Sequence, residues 1–451
     1  MDQINPKKLN RLKNSRNIIV ILILLAFSQY TKAQDVYDLS RCVSTGLEQN
    51  FSIKIVRSNE EIADNNYTKG NAGYLPTITT TNRFSGTINN TDQELREGGE
   101  STLRGIHNTV GMANVSLEWT IFNGFNVQTT YQKLNELKQI GVLRSQMDME
   151  NLVADIVTEY YYYIQQLNLY KNMAYAVELS RERVRIDEQR YLLGASSKLE
   201  LLQSIVYLNA DSSIYAKQNE VLRASQVRLK KLMATDDLEE IIVLKDTTIQ
   251  VNPGLQYREL LESTLTNNTS LLLASKDKVI SELDYKIIAS RSYPYLNMAS
   301  GYTYNNYSYE TGTYRDQQVR GMNYSLTLGM DIFDGLQRKR EKANAKLEIE
   351  TKEYQYQEIE QEVKANLITI FYAYENNLKL LKLEEQNLDV ARENLGIALE
   401  RYKLGNLSGI DLREVQKSLL DAEERLISVK YQTKLAEISL LQISGKVMNY
   451  I

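Results

Sequence analysis

Two periods divide this chain. Near residue 325 the period is two: Met322, Tyr324, Leu326, Leu328, Met330 and Ile332 alternate with Gly321, Asn323, Ser325, Thr327, Gly329 and Asp331. Ala113, Val115, Leu117, Trp119 and Ile121 alternate likewise with Asn114, Ser116, Glu118 and Thr120. Leu296, Met298, Ser300, Tyr302 and Tyr304 give a weaker third face, and Ile78, Thr80, Phe84 and Ile88 a weaker fourth. Such alternation predicts strands with one apolar side, the clearest of them long enough to cross a bilayer when tilted. The tyrosines and Trp119 would suit interfacial aromatic girdles. A soluble β-sandwich carries the same local signal.

The other period is helical. From Asn126 to Leu193 the only glycine is Gly141, and from Leu336 to Leu404 it is Gly396. No proline falls in either stretch, where one would cost about 3 kcal/mol. Each stretch could form a helix on the order of 100 Å long at 1.5 Å per residue, and such a helix needs a partner along its length. Ile359, Val363, Leu367, Ile370, Tyr374, Leu378 and Leu381 recur at steps of three and four, the coiled-coil seam pattern. Leu199, Leu202 and Val206 begin a similar seam on a return helix. The run Tyr160 to Tyr163 faces every direction on a helix, which predicts burial on more than one side.

The pattern occurs twice. Ser116-Leu117-Glu118-Trp119-Thr120-Ile121-Phe122-Asn123-Gly124 returns as Thr327-Leu328-Gly329-Met330-Asp331-Ile332-Phe333-Asp334-Gly335, an offset of 211. Arg190-Tyr191-Leu192-Leu193-Gly194 returns as Arg401-Tyr402-Lys403-Leu404-Gly405 at the same offset. Tyr74-Leu75-Pro76 returns as Ser292-Tyr293-Pro294 at an offset of 218, and the seven-residue difference falls between Pro76 and Phe122. A surface loop over about Asn90–Ile106, carrying His107 at its end, would absorb such a change. Pro253 marks the linker. Each half therefore reads helix, strand, loop, strand, long helix, turn, helix. Residues 34–252 form the first repeat, with strands at 76–90 and 108–122 and a tip turn near 194. Residues 253–451 form the second, with strands at 294–309 and 320–333 and a tip turn near 405.

Residues 1–33 read as a secretory signal peptide: a basic stretch (Lys7, Lys8, Arg11, Lys13, Arg16), an apolar run Ile18–Phe27 too short to span a bilayer, and Ala33 before Gln34. Cleavage would remove six of the 53 Lys/Arg and one of the 57 Asp/Glu, leaving 47 against 56, a net charge of −9. That balance argues against nucleic acid as a partner. Cys42 and His107 stand alone in their residue types, which excludes a disulfide framework, a multi-Cys metal site and a histidine cluster. Cys42 reads as a packed thiol of the first helix. No enzyme activity, cofactor or metal is expected.

Four strands leave two open edges, which hydrocarbon does not tolerate. A spanning barrel therefore needs further copies: two would supply eight strands and three would supply twelve, and the pattern alone does not choose between them.

The repeated proline before each first strand, the Ile121-Phe122-Asn123-Gly124 and Ile332-Phe333-Asp334-Gly335 corners and the two tip motifs, in this order and duplicated, resemble the TolC-type outer-membrane efflux protein family over essentially the whole mature chain. The resemblance implies an α+β membrane protein. Its trimeric twelve-stranded outer-membrane β-barrel, four strands per chain, would continue into a long periplasmic α-helical coiled-coil barrel. It implies a passive exit duct of a tripartite efflux or type I secretion system, with a periplasmic adaptor (membrane fusion protein) and an inner-membrane transporter of RND or ABC type as partners. The competing reading is a secreted or periplasmic coiled-coil structural protein without a pore.

Glycine at Gly194 and Gly405 lets the chain reverse where a long helix ends, and Ser197 and Ser408 are candidate caps of the return helices. By resemblance, Arg190, Leu193, Gly194, Ser197, Arg401, Leu404, Gly405 and Ser408 form the tips that meet the adaptor. Asp411 and Glu414, at i and i+3 on one helix face, correspond to a pore constriction, with Glu200 at the related position of the first half. Repeated by symmetry they would form acidic rings that favour cations. Tyr402 matches a tyrosine that holds the closed state, with Glu200 as its expected partner. Leu407 stands where the family pattern has an arginine, so the closing network is expected to differ.

Overall fold

A computed structural model describes residues 36–94 and 96–450, and the signal-peptide reading of residues 1–33 lies outside them. The elements run β1 (Val36–Tyr37), α1 (Leu39–Gln49), α2 (Phe51–Asn66), β2 (Thr77–Glu94), β3 (Glu100–Asn123), α3 (Asn126–Leu192), α4 (Lys198–Met233), β4 (Val243–Leu244), α5 (Tyr257–Asn267), α6 (Thr269–Ser290), β5 (Tyr295–Ser308), β6 (Asp316–Gly329), α7 (Gln337–Lys403) and α8 (Gly409–Ile443), with a final 3-10 turn at Val447–Tyr450. The long helices α3 and α7 are 67 residues each. No helix among the described residues is long and apolar enough to cross a membrane.

Two compact units divide the described chain: one holds residues 36–51, Met149–Leu260 and residues 367–450, the other Ser52–Asp148 and Leu261–Asn366. The second unit contains an antiparallel four-stranded sheet in the order β2-β3-β5-β6, so β2 and β6 are unpaired edges. The register aligns the period-two faces across all four strands. Ile78 lies opposite Leu117, Val115 opposite Tyr302, and Tyr302 opposite Met322. On the other side Thr79 meets Ser116, their hydroxyls 2.8 Å apart, and the Thr303 hydroxyl donates to Asn114 at 2.9 Å. One side of the sheet is apolar and the other polar. The apolar side is bare: Phe84, Tyr324 and Leu328 are 79%, 83% and 73% exposed.

The strands depart from expectation in two places. The predicted loop at Asn90–Ile106 is mostly strand, since β2 runs on to Glu94 and β3 starts at Glu100, and His107 sits inside β3. Its backbone N–H donates to Glu310 Oε2 at 2.5 Å. A ribbon of Thr91, Asp92, Gln93, Ser101 and Thr102 is polar on both faces, so it has no apolar period to read. β6 instead starts earlier, at Asp316, and stops at Gly329, leaving Met330–Phe333 beyond it. Gly329 pairs with Tyr295, and the residue before Tyr295 is Pro294, which has no N–H to extend the ladder.

Both strand-to-helix corners are built alike. Gly124 and Phe125, and again Gly335 and Leu336, take consecutive left-handed conformations (φ 67, 69, 68 and 64°). The Asn123 side chain accepts the Val127 N–H at 3.2 Å, and Asp334 accepts that of Arg338 at 2.9 Å, so each motif caps the long helix that follows it. At Gly124 a Cβ would stand 2.2 Å from the Ser290 carbonyl oxygen, which excludes any larger residue.

The first unit is helical, with the small parallel pair β1–β4. Tyr160 is fully buried and donates to Asp246 at 2.7 Å, and Tyr161 and Tyr163 are buried beside it. Cys42 is buried on α1, and burial, with Asp38 nearby, pushes its thiol up to about 12. On α7 the buried positions Leu367, Tyr374, Leu388, Leu395 and Tyr402 keep a seven-residue register. On α8 Leu412, Leu419, Leu426, Thr433 and Leu440 do the same. These are facing coiled-coil seams.

Candidate functional site

The tips are two helical hairpins, α3 to α4 and α7 to α8, closed by the same turn. The Gly194 N–H donates to the Tyr191 carbonyl at 3.0 Å and that of Ala195 to Arg190 at 2.8 Å; Gly405 donates to Tyr402 at 3.0 Å and Asn406 to Arg401 at 2.9 Å. Both glycines are left-handed (φ 72 and 79°), completing Schellman motifs. The Ser197 hydroxyl accepts the Glu200 N–H at 3.3 Å and Ser408 that of Asp411 at 3.1 Å, so each serine caps its return helix. Leu193 and Leu404 are exposed at the turns, 83% and 74%.

Tyr402 corrects one pairing. Its hydroxyl donates to Asp187, not to Glu200, while the Ser196 hydroxyl donates to Glu200. Asp187 lies on the buried face of α3 one turn before Arg190, whereas Glu200 is exposed in the first turn of α4. Arg190 reinforces the contact: its guanidinium stacks on the Tyr402 ring at 4.7 Å and donates to the Tyr402 carbonyl at 2.6 Å. Burial first, then the Asp187 carboxylate, pushes the Tyr402 phenol well above its ordinary value of 10.0. Leu407 is half-buried against an apolar cluster of Leu388, Leu395, Ala398, Tyr402, Leu412 and Leu419.

The residues expected to begin a seam on α4 stand at its surface. Leu199, Leu202 and Val206 are exposed, and the buried face of α4 carries Ser204 and Asp211 instead. Polar groups fill this hairpin. Arg413 of α8 clamps Asp211 through two hydrogen bonds of 2.8 and 2.7 Å, and Ser180 of α3 donates to the same carboxylate. Arg183 is buried beneath them, and burial together with the neighbouring Arg413 lowers its pKa. Nothing in the sequence periodicity marked Asp187, Asp211, Arg183 or Arg413. The signal available was their spacing, since Ser180, Arg183 and Asp187 follow the three–four step of an apolar seam.

Asp411 and Glu414 both stand exposed on the first turns of α8, and the Asp411 carboxylate accepts the Ser408 hydroxyl at 2.8 Å. Their spacing puts both on one face of the helix. Among the described residues no group of His, Cys, Asp and Glu could hold a metal ion.

Residues 260–446 match the family model described as outer membrane efflux protein. Over that stretch, the second half of the chain, the sequence is similar to the outer membrane efflux proteins. No curated protein sequence matches it. Solved structures match it in fold at low identity. A membrane protein from Pseudomonas aeruginosa has a TM-score of 0.75 at 16% identity, covering 90% of this chain and 93% of that one. The outer membrane protein VceC from Vibrio cholerae gives 0.71 at 14%, covering 90% and 96%. The CmeC outer membrane channel of Campylobacter jejuni gives 0.72 at 16%, covering 90% and 85%. At these identities the likeness establishes the fold alone.

Proposed function

We propose that this chain is the outer-membrane exit duct of a tripartite efflux or type I secretion assembly. The observation that carries the reading is the sheet: four strands with one apolar side, one polar side and two open edges. In hydrocarbon those edges must be closed by further strands. Three copies give a twelve-stranded barrel, with the apolar side toward lipid and the polar side lining a passage.

The helices support the same assembly. Leu383, Val390 and Ile397 of α7, with Leu404 just past its end, are exposed at a seven-residue interval, and on α4 Leu199, Leu202 and Val206 are bare. These second seams fit neighbouring copies in a periplasmic helical barrel. The matching corners and tip turns of the two halves support an internal duplication with the repeats 34–252 and 253–451.

In this assembly Asp411 and Glu414 form two acidic rings at the constriction, with Glu200 of the first hairpin beside them. Arg190, Leu193, Gly194, Ser197, Arg401, Leu404, Gly405 and Ser408 meet the periplasmic adaptor, and an inner-membrane transporter of RND or ABC type supplies the free energy. The duct breaks no bond. Opening is a two-state rearrangement of the tip hairpins biased by the adaptor, working against the Tyr402–Asp187 contact. Density-gradient fractionation of cell membranes, followed by cross-linking, tests the reading. Trimers in the outer-membrane fraction support it, and a monomer in the soluble periplasmic fraction overturns it in favour of a coiled-coil structural protein.

A further inference from the structure

The polar core of the tip bundle holds more donors than acceptors. Arg183 is 2% exposed and Gln416 1% exposed, and they meet between α3 and α8, with Arg183 Nη1 donating to Gln416 Oε1 at 3.5 Å. Arg183 Nε and Nη2 and Gln416 Nε2 are buried and reach no hydrogen-bond partner. Buried donors of this kind are rare in folded proteins and call for an acceptor.

The surrounding carboxylates are already engaged. Asp211 accepts Arg413 twice and Ser180 once, and Asp187 accepts the Tyr402 hydroxyl. The Tyr207 ring covers both guanidinium groups, with Arg183 at 4.8 Å and Arg413 at 5.3 Å from its centroid. A ring face attracts the cation but leaves the in-plane N–H groups unused. Charge points the same way: Arg183, Arg190 and Arg413 stand against Asp187 and Asp211, one positive charge in excess. A water molecule offers two lone pairs for these three nitrogens and brings two protons that must themselves find acceptors. An anion only accepts. Arg183 also lines a cavity of about 880 Å³ with Asp187, Arg190, Tyr207 and Tyr402, which gives a small ion a way in.

We propose that Arg183 and Gln416 bind a small monovalent anion of halide size in the core of the tip bundle. A single negative charge matches the excess, whereas a divalent anion would reverse it and cost more to desolvate. The bound ion ties α3 of the first hairpin to α8 of the second. The inference rests on the buried cluster and is independent of the pore reading.

The test uses the full mature chain purified from membranes in detergent, with bromide as the probe. Crystals grown in bromide should give an anomalous peak within hydrogen-bonding distance of both Arg183 and Gln416. At equal ionic strength, the melting temperature in bromide should exceed that in gluconate by about 2–4 °C. That difference should vanish in Arg183→Met and in Gln416→Leu, the second variant serving if the first fails to fold. Absence of the anomalous peak, or an undiminished bromide effect in a folded variant, overturns the site.

Discussion

The two tip hairpins share a backbone and differ in what they bury. Both reverse through a Schellman turn and restart at a capping serine. The second hairpin buries Leu388, Leu395, Leu412 and Leu419, an ordinary coiled-coil seam. The first buries Ser180, Arg183, Asp187, Ser204 and Asp211, while Leu199 and Leu202 face out. The contrast separates two uses of a helical hairpin. An apolar seam adds stability with little regard to which neighbour supplies the methyl groups. A polar seam is satisfied only in one arrangement, because each donor must find its acceptor. The arrangement here spans the hairpins: Tyr402 reaches Asp187, and Arg413 reaches Asp211.

Breaking one buried charge pair should have the largest effect. Asp211→Ala leaves Arg413 and Ser180 without their acceptor and should cost about 3–5 kcal/mol in a denaturant titration. Pairing Asp211→Leu with Arg413→Met should recover most of that loss. Leu412→Ala in the apolar hairpin should cost about 2–5 kcal/mol, and no single polar partner exists whose replacement restores it. A double variant as unstable as Asp211→Ala would erase the distinction between the two seams.

Tyr402→Phe comes next, at about 1–3 kcal/mol, because it strands the buried Asp187 carboxylate. Its pH dependence sharpens the assignment. The folded-state pKa of Tyr402 lies above its ordinary 10.0, so its contribution is complete below pH 10 and is lost as pH rises through the folded value. The stability gap between wild type and Tyr402→Phe should therefore narrow above about pH 10. A gap constant from neutral to strongly alkaline pH would mean that the hydroxyl is not held by Asp187. The capping serines give the smallest change: Ser197→Ala and Ser408→Ala should each cost about 1 kcal/mol, the same for both hairpins because the cap geometry is the same.

The strands, long helices and tip turns were legible because each has a strong local cause. Period two marks one-sided strands, the absence of proline and glycine marks long helices, and glycine marks the reversals. The corners were legible as motifs, although it took the structure to show why Asn123 and Asp334 recur: each accepts a helix N–H. The polar ribbon above β2 and β3 was hidden because neither of its faces is buried. The polar seam was hidden for the opposite reason. Arg183, Asp187 and Asp211 look like solvated surface in sequence, and only the meeting of two hairpins distant in the chain brings their partners to them. Leu199, Leu202 and Val206 were read as the start of a seam, and among the described residues nothing covers them.

The central claim is that three copies of this chain enclose a cation-preferring pore. Single-channel recording in a planar bilayer tests it most directly, comparing the purified wild-type protein with Asp411→Asn plus Glu414→Gln. The account predicts cation-selective channels whose selectivity falls in the double variant. A folded oligomer that forms no channel would contradict the pore, and channels with unchanged ion selectivity would remove Asp411 and Glu414 from its constriction.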